Sequence, residues 1–347
     1  MRHLFIIAVV CLYNPAGAQL KQWAYLPQGP GATGFKTMRI KGKQGDDLLI
    51  SIWYPAYPAG SRMRLKDYIA ESKETPATAD TTALNNFKKV LELPFLFHLD
   101  KIPQDVFNRA ITTPLFAYKN APAKKGRFPL ILTFGMPVSY PEIFEFFASH
   151  GFVVASVSAR LGNVHNDTLL YVQATNILEE LMYYMVQQPY IDTAHIAAFG
   201  HGWGIQAPFY LAMRTPAIKQ LINLDGGVFG PRSKTTLSPY YHPSNLKIPM
   251  LHIICHDQAQ EDDTAQFNIL TNPRYVIFVN DLASHQDFTE YGRVVNEGLH
   301  KRGEALPVVE KAYAGVQDIM LHFLQHNATD SSGIDKRLFT FKFYNNN

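Results

Sequence analysis

An α/β fold, with a mostly parallel central sheet and helices on both faces, is predicted by three observations. From residue 128 onward, short apolar runs alternate with longer amphipathic stretches, the pattern in which parallel strands are joined by crossover helices. Several of those runs are continuously apolar, as strands covered on both faces require. In mid-chain, at 198–205, a strand-like run passes into a helix-like one through the glycine-dense turn Gly200-His201-Gly202-Trp203-Gly204. A chain of 347 residues, 47% hydrophobic and 18% charged, is large and apolar enough to bury the core that this fold needs.

The chain opens with Met1-Arg2-His3, an apolar run over 4–13 and the small residues Ala16-Gly17-Ala18. That order of charged, apolar and small-residue regions is read as an export signal over 1–18, and the apolar run is too short to span a bilayer. A secreted or periplasmic chain starting at Gln19 is therefore expected, with no transmembrane segment. Cys11 leaves with the signal, so Cys255 is the only cysteine left and an internal disulfide is impossible. A lipoprotein role for Cys11 is disfavoured because Val9-Val10 before it is not a small pair. Residues 1–18 hold Arg2 and no acid, so the formal charge falls from +3 to +2 on cleavage. Such a balance points to neither nucleic acid nor an anionic surface.

Residues 35–40 and 48–53 alternate on either side of the polar turn 41–47 and predict an antiparallel hairpin, stopped by Pro55. Residues 59–127 break the pattern. Pro, Thr and Ala cluster around 74–82, short helices are expected at 83–93 and 104–110, and Phe95-Leu96-Phe97 lies between them. This is a cap-like insertion, either a cover over a groove or a segment packed on the core. Regular alternation follows: strand 129–134, helix 141–150 stopped by Gly151, strand 152–158, and helix 167–188 entered through Asn166, Asp167 and Thr168. Strand 195–199, helix 205–213, strands 218–224, 248–255 and 275–279, and a helix at 308–326 complete a single domain over 19–347. The tail 337–343 alternates like an edge strand. No internal repeat is present. The thirteen histidines show no spacing that suggests a metal centre, and no cofactor is expected.

The turn at 200–204 carries the flanking glycines of a nucleophile elbow, the strand-to-helix turn G-x-S-x-G that lifts one side chain above the sheet. Here Gly202 stands at the nucleophile position, and the serine is absent. Asp225 ends the next strand, in Leu224-Asp225-Gly226, and His285 follows the last parallel one, in Ser284-His285-Gln286-Asp287-Phe288. The order nucleophile, acid, histidine is the one this architecture uses. In a working triad the histidine takes the nucleophile's proton, and the carboxylate fixes its tautomer.

These pieces, together with Ile52-Trp53-Tyr54-Pro55-Ala56 and the run from Phe147 through Gly151 to Ala155, resemble the platelet-activating-factor acetylhydrolase and dienelactone-hydrolase-like branch of the α/β-hydrolases. The resemblance implies hydrolysis of carboxylic esters outside the cytoplasm, a small-molecule or lipid ester as ligand, and no metal. The chain departs from that pattern at two places. Gly202 replaces the serine, and the loop Gly135-Met136-Pro137-Val138-Ser139-Tyr140 is short and lacks the family's His-Gly pair. The oxyanion-hole candidates are the backbone N–H groups of Trp203, Met136 and Val138; Pro137 has none to give. Lost or very weak esterase activity is the expected result.

Alternatives stay open on the sequence. An active carboxylesterase would need another nucleophile, for which His201, Ser139 and Cys255 are nearest. Asp257 is a second candidate for the acid, and Arg160 is expected to make an ion pair. The sequons Asn166-Asp167-Thr168 and Asn327-Ala328-Thr329 matter only in a glycosylating host. A dinucleotide-binding oxidoreductase would use Gly200, Gly202 and Asp225, but Ile205 occupies its third glycine position.

Overall fold

The computed structural model describes residues 28–43, 45, 47–72, 81–91, 102–159, 161, 167–229, 234–255, 267–279, 285–289, 306–329 and 335–344. The expected export signal, Arg160, Asn166, Asp257, Ser284 and the Phe95-Leu96-Phe97 run lie outside them.

In chain order the elements are β1 (Ala32–Lys41), β2 (Asp47–Ala56), β3 (Arg62–Arg64), α1 (Leu65–Glu71), α2 (Thr81–Leu91), α3 (Gln104–Thr112), β4 (Pro114–Lys119) and β5 (Phe128–Phe134). There follow α4 (Pro141–Ser149), β6 (Val153–Ser158), α5 (Asp167–Val186), β7 (Ile191–His201), a 3-10 turn Gly202–Ile205, α6 (Gln206–Arg214) and β8 (Gln220–Leu224). The chain closes with β9 (Met250–Cys255), β10 (Arg274–Val279), α7 (Leu306–His326) and β11 (Phe339–Tyr344).

The strands form one sheet in the order β11-β10-β9-β8-β7-β5-β6-β2-β1-β4-β3. The stretch from β6 to β10 is parallel, whereas β2 pairs antiparallel with β1 and β6, and β11 lies antiparallel on β10. The hairpin and the edge strand expected of the tail are thus present.

Alternate residues of each strand face opposite sides of the sheet, and they feed two hydrophobic clusters. Leu130, Leu132, Ala198 and Leu221 pack under α5 and α6. Ile131, Val154, Phe199 and Ile222 pack under α4, α7 and the helices of the insertion. No helix among the described residues is long and apolar enough to cross a membrane.

The insertion is helical over α1, α2 and α3, and it also adds two strands to the sheet edge. β4 pairs parallel with β1, and β3 pairs antiparallel with β4. Leu65, Tyr68, Leu91, Phe107 and Leu115 are buried in the same cluster as Phe144 and Phe147 of α4. Its described part is therefore packed on the core.

After β5 the chain crosses to β6 on one side, then returns through α5 to β7 on the other side of β5. A crevice opens at the carboxyl ends of strands where the winding reverses in this way. The Gly135–Tyr140 loop and the Gly202 turn both leave the sheet there.

Candidate active site

β7 ends at His201, and the backbone then turns sharply. Gly200 is compelled to be glycine, because a Cβ there would lie 2.4 Å from the Ile205 Cα and 2.9 Å from the Gly204 carbonyl oxygen. Gly204 is under less pressure, since its Cβ would meet the Phe134 carbonyl at an ordinary 3.4 Å. Ile205 is fully buried and seats its methyl against Gly226, where a Cβ would lie 2.5 Å from it. The bulk that counts against a dinucleotide loop is thus absorbed by a glycine on the neighbouring strand end. Gly202 itself has φ +53°, the left-handed conformation of an elbow's nucleophile position.

Asp225 caps β8 with φ +49°, a conformation costly for a non-glycine residue. Several hydrogen bonds hold it there. Its N–H donates to Ile253 at 2.6 Å, its Oδ1 accepts the Cys255 N–H at 2.8 Å, and its Oδ2 accepts the Cys255 thiol at 2.9 Å. Oδ2 also faces His285 Nδ1 at 2.7 Å. Burial pushes this carboxyl up, but the hydrogen bonds from His285 and Cys255 and the charge of His285 outweigh it, leaving Asp225 below its ordinary value. A carboxylate accepts, so Nδ1 of His285 carries the proton they share, and in the neutral ring Nε2 presents a lone pair.

That lone pair faces Gly202. A Cβ on Gly202 would lie 2.7 Å from His285 Nε2 and 2.9 Å from Cε1, closer than real contacts allow. The imidazole therefore stands where a nucleophile's side chain would begin. Gly202, Asp225 and His285 are brought together, with no hydroxyl between the first and the last.

The same geometry bears on the replacement nucleophiles. His201 stacks on His285 with centroids 4.3 Å apart. Its Nε2 lies 3.0 Å from the His285 carbonyl, which can only accept, so Nε2 holds the proton and Nδ1 accepts from the Tyr140 hydroxyl at 2.9 Å. Burial, then the charge of His285, push His201 down to about 3, and it is neutral at ordinary pH. Cys255 is fully buried, with its thiol turned to Asp225. Neither group is free to attack a substrate. Ser139 has no hydrogen bond to Asp225 or His285 among the described residues.

In the Gly135–Tyr140 loop, the Gly135 N–H is bound to the Val157 carbonyl and the Ser139 N–H to that of Met136. The N–H groups of Met136 and Val138 are not taken by such bonds. Val138 is buried, Met136 is half exposed, and the Trp203 side chain is 74% exposed beside Tyr171, ring centroids 6.3 Å apart. His201, Asp225 and His285 place potential ligand atoms within 4.8 Å of one another. Both nitrogens of His201 and Nδ1 of His285 are already hydrogen-bonded, so a metal would have to break those bonds first.

Two contributors were missed from the sequence, Tyr140 as the clamp on His201 and Cys255 as the donor to Asp225. The signal for the second existed: Cys255 ends the strand beside the one that Asp225 ends.

No protein-family model matches this chain, and no curated protein matches it. Solved structures do. A ferulic acid esterase from Streptomyces cinnamoneus superposes with TM-score 0.57 at 14% identity, over 91% of this chain and 97% of its own. The chain has the α/β-hydrolase fold. An acylaminoacyl peptidase from Pyrococcus horikoshii (TM-score 0.49, 12% identity) is matched over 88% of this chain and 44% of its own. The AtxE2 isopeptidase (TM-score 0.48, 12% identity) is matched over 87% and 41%. The chain spans less than half the length of these two. Gly202, Asp225 and His285 lie, in that chain order, at the turn after β7, just past the end of β8 and after β10.

Proposed function

We propose that this chain is an exported α/β-hydrolase-fold protein that retains a small-molecule or lipid ester site and has lost covalent ester hydrolysis. The observation that carries the reading is the position of His285 Nε2, 2.7 Å from the Cβ that Gly202 lacks. A base is in place with no nucleophile to activate, and its ring fills the space in which one would move. Loss of a serine nucleophile removes about four to six powers of ten in rate, what remains coming from the oxyanion hole and binding. The altered Gly135–Tyr140 loop weakens that remainder.

The intact Asp225–His285 pair and the exposed Trp203 at the elbow support a ligand-binding role. An ester-type ligand is suggested by the acetylhydrolase and dienelactone-hydrolase-like motifs, and the similar fold of a named esterase agrees with it. Secretion or periplasmic residence rests on the composition of residues 1–18.

Trp203 offers the test. Titration of the mature protein with a non-hydrolysable ester analogue, such as a short-chain alkyl ketone or carbamate, is expected to change the tryptophan emission saturably. Trp53 is buried and Trp23 is kept in both proteins, so a change that reports on the elbow should be lost or much reduced in Trp203→Phe. Emission that stays constant with every acyl length from acetyl to octanoyl would contradict a retained ester site.

A further inference from the structure

α7 turns Ala312, Val316, Ile319, Met320 and Phe323 into the core. His322 and His326 lie at its solvent side, half-buried and exposed respectively, one helical turn apart. Residues four apart on a helix are surface neighbours, and here the two ring centroids are 4.3 Å apart.

Three observations make this pair more than two surface histidines. His326 Nδ1 lies 3.1 Å from the His322 carbonyl oxygen. That oxygen can only accept, so Nδ1 carries the proton and Nε2 of His326 presents its lone pair to solvent. A backbone carbonyl behind the far nitrogen is the support that metal-ligating histidines commonly have. Second, neither ring nitrogen of His322 and not the Nε2 of His326 is hydrogen-bonded to another described residue. Third, the pair sits in the last turns of a 21-residue helix, the end at which the helix dipole favours a cation.

We propose that His322 and His326 bind a borderline divalent transition cation, such as Zn2+ or Cu2+, through both Nε2 atoms, with water completing its shell. Zn–N bonds of about 2.0–2.1 Å need the two nitrogens roughly 3 Å apart; the rings are stacked, 29° between their planes, so His322 has to turn its ring out of the stack to aim its Nε2 lone pair at the ion held by His326. Imidazole pairs do not suit Mg2+ or Ca2+, which require oxygen ligands. The proposal departs from the expectation that the thirteen histidines hold no metal spacing, on the ground that i and i+4 on a helix is such a spacing. The site is remote in sequence from the Gly202 turn and does not depend on the reading of that turn.

Calorimetric titration of the mature protein with ZnCl2 and with CuCl2 tests the proposal, with MgCl2 as a control. One site is expected to weaken by at least about tenfold in His322→Ala and equally in His326→Ala, because either variant leaves a single imidazole. His285→Ala should leave that site unchanged. Electron paramagnetic resonance of the Cu2+-loaded wild type should show two equatorial imidazole nitrogens, a readout independent of any variant. Identical titrations in wild type and His326→Ala, a one-nitrogen spectrum, or no binding by the wild type at about 100 µM metal would each overturn the proposal.

Discussion

At the scale of single residues, two backbone positions hold the account together. Gly202 and Asp225 both have left-handed φ values, +53° and +49°. Glycine adopts that conformation at little cost, so the elbow turn is relaxed here, whereas Asp225 keeps its strain and is held by bonds from Cys255 and His285. Gly202→Ala is expected to destabilise the fold by roughly 1–3 kcal/mol, from backbone strain and displacement of His285. Urea unfolding of the two proteins measures this, and a variant as stable as wild type would show that the turn accepts a side chain freely. Gly202 in its glycine-dense turn, Asp225 and His285 were all legible in the sequence as an order of residues. The distance between His285 and the missing Cβ was not, because side-chain closure depends on which strand ends become neighbours.

The elements were legible in proportion to their length and regularity. The strands and helices after residue 128 follow the predicted alternation because each carries a long apolar signal. β3 and β4 were not foreseen: β3 is three residues long, and β4 opens on Pro114, which weakens a strand reading. α1, seven residues long, is also too short for its period to stand out. The link between the insertion and the core is a buried acid that no periodicity reveals. Glu145 of α4 accepts the Tyr68 hydroxyl of α1 at 2.6 Å and the Phe116 N–H of β4 at 2.7 Å. Burial pushes its carboxyl up to about 7 against those bonds. Its folded value lies above the ordinary 4.5, so its contribution to stability is lost as pH rises from about 4.5 to about 7. Stability of Glu145→Gln, measured by urea unfolding, should lack that decline, and an unchanged pH profile would contradict the assignment.

Over the whole molecule, the sheet order places the Gly135–Tyr140 loop and the Gly202 turn at one crevice where the winding reverses. The fold also buries two titrating groups of opposite sense. His201 is pushed down to about 3, so stability tied to it is present above 6.5 and is lost as pH falls below that. Between about 4.5 and 6.5 one group gives a rising and the other a falling slope, each near 1.4 kcal/mol per pH unit, and the two offset each other. Glu145→Gln should therefore unmask a stability that climbs with pH across that window, as the His201 shift requires.

The most direct test of the central claim is turnover of p-nitrophenyl acetate by the mature wild type, its His285→Ala variant and its Gly202→Ser variant, side by side with fluorophosphonate labelling. A wild-type rate at background, unchanged in His285→Ala and without labelling, is expected; in Gly202→Ser, where His285 has to shift to admit the new Cβ, a gain of both turnover and label on the introduced hydroxyl is expected. Wild-type turnover at an enzyme-like rate that falls by about a hundredfold or more in His285→Ala would contradict it, and would mean that the Asp225–His285 pair still drives hydrolysis without a serine.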